Sequence, residues 1–152
     1  VRSMCCRLRL DLRELRKKSG GFFGSGESTG SVGVVTINLP RIAYLATDEK
    51  DFYKRLEKIM DIAARSLKVK RNVITKLLKE GLYPYTKRYL GSFDNHFSTI
   101  GLIGMNEVGL NAKWLRADLT HEETQKFAKE CLNFMREKLS DYEEEYGDLD
   151  NL

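Results

Sequence analysis

Val32-Gly33-Val34-Val35-Thr36-Ile37-Asn38-Leu39, closed by Pro40, is a run dominated by β-branched residues. Gly-rich sequence precedes it and the proline ends it, so it reads as a buried strand. Beyond it, 41–46 is expected to start a helix with Pro40 at or near its first turn. A clearer helix begins at Thr47 or Asp48, where Phe52, Leu56, Ile59, Ala63 and Leu67 fall on one stripe at spacings of three and four. The stripe runs on through Val73, Ile74, Leu77 and Leu78 to a cap at Gly81, with Pro84 beyond it. A bend or break is expected around 66–72. A second strand is expected over Phe97-Ser98-Thr99-Ile100-Gly101-Leu102-Ile103-Gly104, followed by a loop over 105–110. Thr120-His121-Glu122-Glu123 has the form of a capping box, in which the hydroxyl and Glu123 each satisfy a free amide. The helix behind it would bury Phe127, Cys131, Phe134, Met135, Leu139 and Tyr142. Strand, long helices, strand, helix is the order of an α/β protein with crossover connections.

On the other side of the opening run, 20–31 is a loop by composition, with Gly and Ser at most positions. Its Gly24-Ser25-Gly26-Glu27-Ser28-Thr29-Gly30 invites comparison with phosphate-binding loops, whose glycines let amides converge at a helix N-terminus. Here the spacing is wrong, a strand follows rather than a helix, and no Lys-Ser/Thr completes it. In residues 1–19, Leu8, Leu10 and Leu12 alternate like a strand, while Leu8, Leu12 and Leu15 fit one helix face. Both remain open.

The 152 residues suffice for one domain, or for part of a larger one; the start at Val1 rather than Met suggests a piece of something longer. At 32% charged and 41% hydrophobic, the chain contains no apolar run near the roughly 20 residues a membrane span needs. The N-terminus has no basic region followed by an apolar stretch, so no signal peptide and a cytosolic setting are expected. The net charge of +4 is unevenly spread: 7–18 and 65–79 are basic and 141–150 is acidic. Such basic runs either attract phosphates or are solvated helix faces. No aromatics interleave them, which argues against direct nucleic-acid binding.

Three cysteines, two of them adjacent, form no disulfide framework, and no spacing suits zinc; no metal site is expected. Cys131 lies on an apolar stripe and reads as core. His121 belongs to a cap region. His96, just ahead of the second strand, is either structural or a strand-end group facing substrate. Cys5-Cys6 stands apart. Arg7 beside it would lower a thiol's pKa if the side chains approach, whereas two simply buried thiols would look the same in sequence.

Met4-Cys5-Cys6-Arg7-Leu8 is followed in order by Gly30-Ser31-Val32-Gly33-Val34-Val35-Thr36-Ile37-Asn38-Leu39-Pro40-Arg41-Ile42-Ala43, Tyr83-Pro84-Tyr85-Thr86 and Ser98-Thr99-Ile100-Gly101-Leu102-Ile103-Gly104-Met105-Asn106-Glu107. Together these resemble the anaerobic ribonucleoside-triphosphate reductase family, over nearly the whole chain. Any one motif is weak, but their order is specific. The resemblance implies part of a ten-stranded α/β barrel of the glycyl-radical type, with a central finger loop carrying a radical cysteine. On that basis 1–31 is the finger loop with the loop after it, and 32–152 is barrel strands with their crossover helices. The radical cysteine precedes an Arg in the family and maps onto Cys6, with Cys5 as an alternative or a relay. Ser31 and Asn38 become candidate substrate-binding residues.

The family's chemistry implies that a glycyl radical, made by a separate radical-SAM activating protein, oxidises the cysteine to a thiyl. The thiyl then takes hydrogen from C3′ of a ribonucleoside triphosphate, so that the 2′ hydroxyl leaves as water. An S–H bond close in strength to the ribose C–H makes that exchange reversible, and a buried loop protects the intermediates. Some formate-using members carry Asn where this chain has Ser31, so either formate or a thioredoxin-like dithiol is the implied reductant. The glycyl-radical motif, a four-cysteine zinc site and the ATP/dNTP-sensing cone are absent from these 152 residues. The resemblance places them in the rest of a reductase expected to be a homodimer, and the isolated chain is expected to be inert. Two other readings are a non-catalytic nucleotide-binding or assembly module, and a glycyl-radical enzyme closer to the pyruvate formate-lyases, where an adjacent cysteine pair also occurs.

Overall fold

The computed structural model describes residues 4–5, 8–9, 30–94 and 96–146. Two short strands, β1 (Met4–Cys5) and β2 (Leu8–Arg9), pair antiparallel with Met4 opposite Arg9 and Cys5 opposite Leu8. At these four positions the chain is extended. The rest of the ambiguous leucine pattern, including Leu12 and Leu15, lies outside the described residues.

The β-branched run is strand β3 (Gly30–Asn38), starting two residues earlier than its composition suggests. It passes directly into α1 (Leu39–Leu45), with Pro40 in the first turn and the Asn38 side chain accepting from the Arg41 amide at 3.1 Å. Then comes α2 (Glu49–Lys79), capped by the Asp48 carboxylate, which accepts from the Asp51 amide at 2.8 Å. The Asp51 carboxylate reaches back to the Thr47 amide at 3.1 Å, so each end of the cap satisfies a free N–H. Gly81 ends the helix at φ +85°, with its amide on the Leu78 carbonyl and that of Leu82 on Leu77, as the sequence predicts. A short helix, α3 (Pro84–Tyr89), follows, and then strand β4 (His96–Ile103) lies parallel to β3. Parallel neighbours need a crossover, and α2 supplies it.

Three expectations are corrected here. The long helix does not bend or break at 66–72; it is continuous from 49 to 79. Its buried face runs through Phe52, Leu56, Met60, Ala63, Ala64, Leu67, Arg71 and Leu78, so burial is uninterrupted on both sides of that segment. Ile59 and Val73 are consequently 39% and 51% exposed, and Met60 takes the core position. The stretch after β4 is no loop. Gly104 turns at φ +80° into helix α4 (Met105–Asn111), which buries Val108 and Gly109 against its surroundings despite the poor helix propensity of Asn and Gly. Finally, the capping box does not form before α5 (Glu122–Tyr146): the Thr120 hydroxyl donates to the Asp118 carboxylate, which also accepts from the Thr120 amide at 3.0 Å.

The core lies between the sheet, α1, α4 and the long pair α2 and α5. Phe52 packs edge-on against Phe127 at 5.3 Å between ring centroids, and Tyr53 against Phe134 at 5.0 Å. Further along, Lys138 pairs with Glu57 at 2.6 Å, the Tyr142 hydroxyl donates to Asp61, and the Lys68 ammonium donates to the Tyr146 carbonyl at 2.9 Å. These pairs ascend together in both helices, so α2 and α5 run in the same direction. That is the arrangement of two successive crossover helices on one face of a parallel sheet.

Candidate active site

Cys5 closes β1 and pairs through its backbone with Leu8, the first residue of β2. Cys6 and Arg7, between them in sequence, lie outside the described residues, as does the Gly-rich stretch 20–29.

The strand pair that follows has two distinct faces. Alternation places Gly33, Val35 and Ile37, with Ser98, Ile100 and Leu102, toward α2; Leu67 and Lys70 of that helix sit directly over Gly33. Ser31, Val34, Thr36 and Asn38, with Thr99, Gly101 and Ile103, form the opposite face. Ser31 and Asn38 therefore share a face, but seven residues of extended chain put them roughly 20 Å apart. The structure does not bring them together. At a β-bulge between Ser31 and Gly33, the Ser31 hydroxyl donates to the Gly33 carbonyl at 3.2 Å. Asn38 spends its side-chain oxygen on the α1 cap.

Thr99, on the same face, was not singled out by sequence. It is 2% exposed and its hydroxyl has no hydrogen-bond partner. Leaving such a group unsatisfied costs about 1–3 kcal/mol. It borders a cleft of about 460 Å³ between β4 and α5, with Thr36, Gly101, Leu132, Asn133 and Arg136.

At the opposite end of β4, the His96 ring lies against the bare Cα of Gly30, its register partner. A Cβ on Gly30 would stand 3.0 Å from His96 Cδ2 and 3.1 Å from Nε2. The ring is edge-on to Phe93 at 5.4 Å, and its Nδ1 is buried without a partner. Burial, and secondarily the nearby Arg71 guanidinium, push its pKa below the ordinary histidine value. His96 is thus a packed, neutral side chain at the start of the strand.

Arg71 is the residue that sequence reasoning missed. It is 7% exposed and donates to the Phe93 carbonyl at 3.2 Å, to the His96 carbonyl and to the Ser98 hydroxyl at 3.3 Å. One signal was available: it falls four residues after Leu67 on the buried stripe, where a charged residue is uncommon. The basic run 65–79 is in part structural. Lys68 holds the end of α5, Lys76 pairs with Glu80 at 3.8 Å, and Arg71 is committed to backbone carbonyls.

The remaining candidates fall where the sequence puts them. Cys131 is fully buried in α5, and burial pushes its thiol up to about 12. His121 sits at the start of α5 with Nδ1 3.2 Å from the Asp118 carboxylate. Among the described residues, no group of three or more His, Cys, Asp or Glu could hold a metal ion, and no helix is long and apolar enough to cross a membrane.

Comparison with known proteins gives the frame for these features. The family model described as anaerobic ribonucleoside-triphosphate reductase matches residues 1–152. No curated protein matches the chain. Among solved structures it is similar to the anaerobic ribonucleotide reductase from Thermotoga maritima with citrate in the active site, at 28% identity and a TM-score of 0.69. That match covers 82% of this chain and 24% of the other. The Thermotoga maritima enzyme in complex with dATP and CTP is similar at 25% identity and a TM-score of 0.67, covering 81% and 23%. A further anaerobic ribonucleotide reductase gives 27% identity and a TM-score of 0.68, covering 82% and 21%. The chain thus spans about a quarter of the length of the solved structures it matches. These matches favour the reductase over a pyruvate formate-lyase relative or a separate assembly module. The chain belongs to the anaerobic ribonucleoside-triphosphate reductase family.

Proposed function

We propose that this chain is the finger-loop segment of the catalytic domain of an anaerobic ribonucleotide reductase, acting on ribonucleoside triphosphates, with Cys6 as the hydrogen-abstracting residue. The observation that carries this reading is the family match along all 152 residues, which includes the cysteine pair ahead of the parallel strands. The β3–β4 pair with its crossover helix is then two neighbouring strands of a ten-stranded barrel. Among the described residues β3 and β4 pair only with each other, and exposed strand edges need covering. The cleft beside β4 under Leu132, Asn133 and Arg136 is where we place the next strand.

A glycyl radical in a segment outside these residues, raised by a radical-SAM activating protein, supplies the one-electron oxidising equivalent. Within this chain, the Cys6 thiyl so formed takes the C3′ hydrogen and later returns it, which restores the thiyl, and that in turn takes a hydrogen back from the glycine. The 2′ hydroxyl leaves as water, and two electrons enter from formate, which becomes carbon dioxide, or from a dithiol, which becomes a disulfide. Ser31, at the start of β3, contacts the reductant or the ribose; Asn38 is a more distant contact, since its side chain also holds the α1 cap. The whole enzyme is a cytoplasmic homodimer, with effector nucleotides and zinc bound outside this segment.

The test is anaerobic assay of the full-length protein with its activating protein, each ribonucleoside triphosphate, and either labelled formate or a thioredoxin-like dithiol. Deoxyribonucleotide formed with equimolar labelled carbon dioxide identifies formate, and formed with dithiol oxidation identifies the other donor. No deoxyribonucleotide from any of the four substrates would overturn the reading.

A further inference from the structure

We propose that Arg71 is a positioning residue for the reaction, acting through the His96–Gly30 contact on the backbone that carries Ser31. The inference rests on the reductase reading above. Three observations converge on one end of the strand pair. The Arg71 guanidinium, 7% exposed, ties down the Phe93 and His96 carbonyls and the Ser98 hydroxyl, so the first turn of backbone into β4 is fixed from α2. His96 is held by that backbone, and its ring presses on the Cα of Gly30, with no room for a Cβ at its ordinary distance. Gly30 is the residue at which the segment after the cysteines enters β3, and the bulge beginning at Ser31 follows at once.

Arginine suits this task because its planar fork serves several acceptors at once, which a lysine ammonium on a flexible stem does not. A contact that depends on a bare Cα is also sensitive to tenths of an ångström, and small misplacements of reacting groups cost large factors in rate. Arg71 sets where Ser31 stands at the start of β3.

The experiment uses the full-length reductase with its activating protein and compares wild type, Arg71→Lys, Gly30→Ala and Gly30→Ala/His96→Ala. Gly30→Ala is the mild probe, since it moves one ring by a few tenths of an ångström, and it carries the test if Arg71→Lys does not fold. We expect Gly30→Ala and Arg71→Lys to form the glycyl radical at wild-type yield by electron paramagnetic resonance. Their kcat should drop about tenfold or more, with KM for nucleotide changed by less than about threefold and thermal melting unchanged for Gly30→Ala. Because the ring is what relays Arg71 to Gly30, removing it in Gly30→Ala/His96→Ala should leave kcat as low as in Gly30→Ala. Wild-type kcat in Arg71→Lys, in Gly30→Ala or in the double variant overturns the inference. A wild-type enzyme that makes no deoxyribonucleotide is a different result: it overturns the reductase reading, and this inference falls with it.

Discussion

The hydroxyl of Tyr142 on α5 donates a hydrogen bond to the carboxylate of Asp61 on α2, at the far end of the seam that begins with Phe127 on Phe52. Burial first, and then that bond, push the tyrosine pKa well above its ordinary value. Because Asp61 itself is exposed, water replaces the lost donor when the hydroxyl is removed, and the cost falls at the low end for a charged acceptor. Tyr142→Phe is expected to lower unfolding free energy by about 1 kcal/mol with an unchanged denaturant slope, measured by urea unfolding. A loss near zero would mean the bond contributes nothing net.

Gly104 makes a stronger demand. It turns at φ +80° between β4 and α4, and a Cβ there would stand 2.4 Å from Pro40 Cγ. The left-handed conformation alone costs a non-glycine residue roughly 1–2 kcal/mol, and the collision adds to it. Gly104→Ala should therefore destabilise by at least about 2 kcal/mol. Combining it with Pro40→Ala should recover the collision but not the backbone strain, a coupling that a double-mutant cycle of unfolding energies reads directly.

His96 predicts an acid-side loss of stability. Its folded pKa lies below the unfolded value, so as pH falls through 6.5 the unfolded chain binds the proton first. Stability is thus full above about 6.5 and declines as pH falls toward the folded pKa, where His96⁺ would face the Arg71 guanidinium. Replacing His96 by Gln should flatten this part of the stability profile between pH 7 and the folded pKa. A profile unchanged by the substitution would assign the slope to other groups.

How much of this was legible in the chain differs from element to element. The β3 strand, the crossover helix with its Gly81 stop, and β4 all follow from local pattern, because each buries a continuous apolar face. Helix α4 was not legible: Asn106, Gly109 and Asn111 are poor helix formers, and the helix exists because Val108 is buried against the rest of the fold. The capping box failed because Asp118, two residues upstream, offers the Thr120 hydroxyl a carboxylate. In the long helix, Ile59 and Met60 are equally apolar neighbours, and only packing decides which faces inward. Arg71 and Thr99 are the same lesson at the candidate site. Their significance comes from carbonyls and an unmet hydroxyl that sequence spacing does not display. Ser31 and Asn38 carry significance from family resemblance, and the fold sets them at opposite ends of one strand.

Abstraction of the ribose hydrogen by Cys6 is the step on which the proposed function depends. It is tested most directly in the activated full-length enzyme, by replacing Cys6 with Ala and following both the glycyl-radical signal and deoxyribonucleotide formation. The prediction is a wild-type radical signal with product abolished. Deoxyribonucleotide still formed by Cys6→Ala would contradict it and move the radical site to Cys5 or elsewhere.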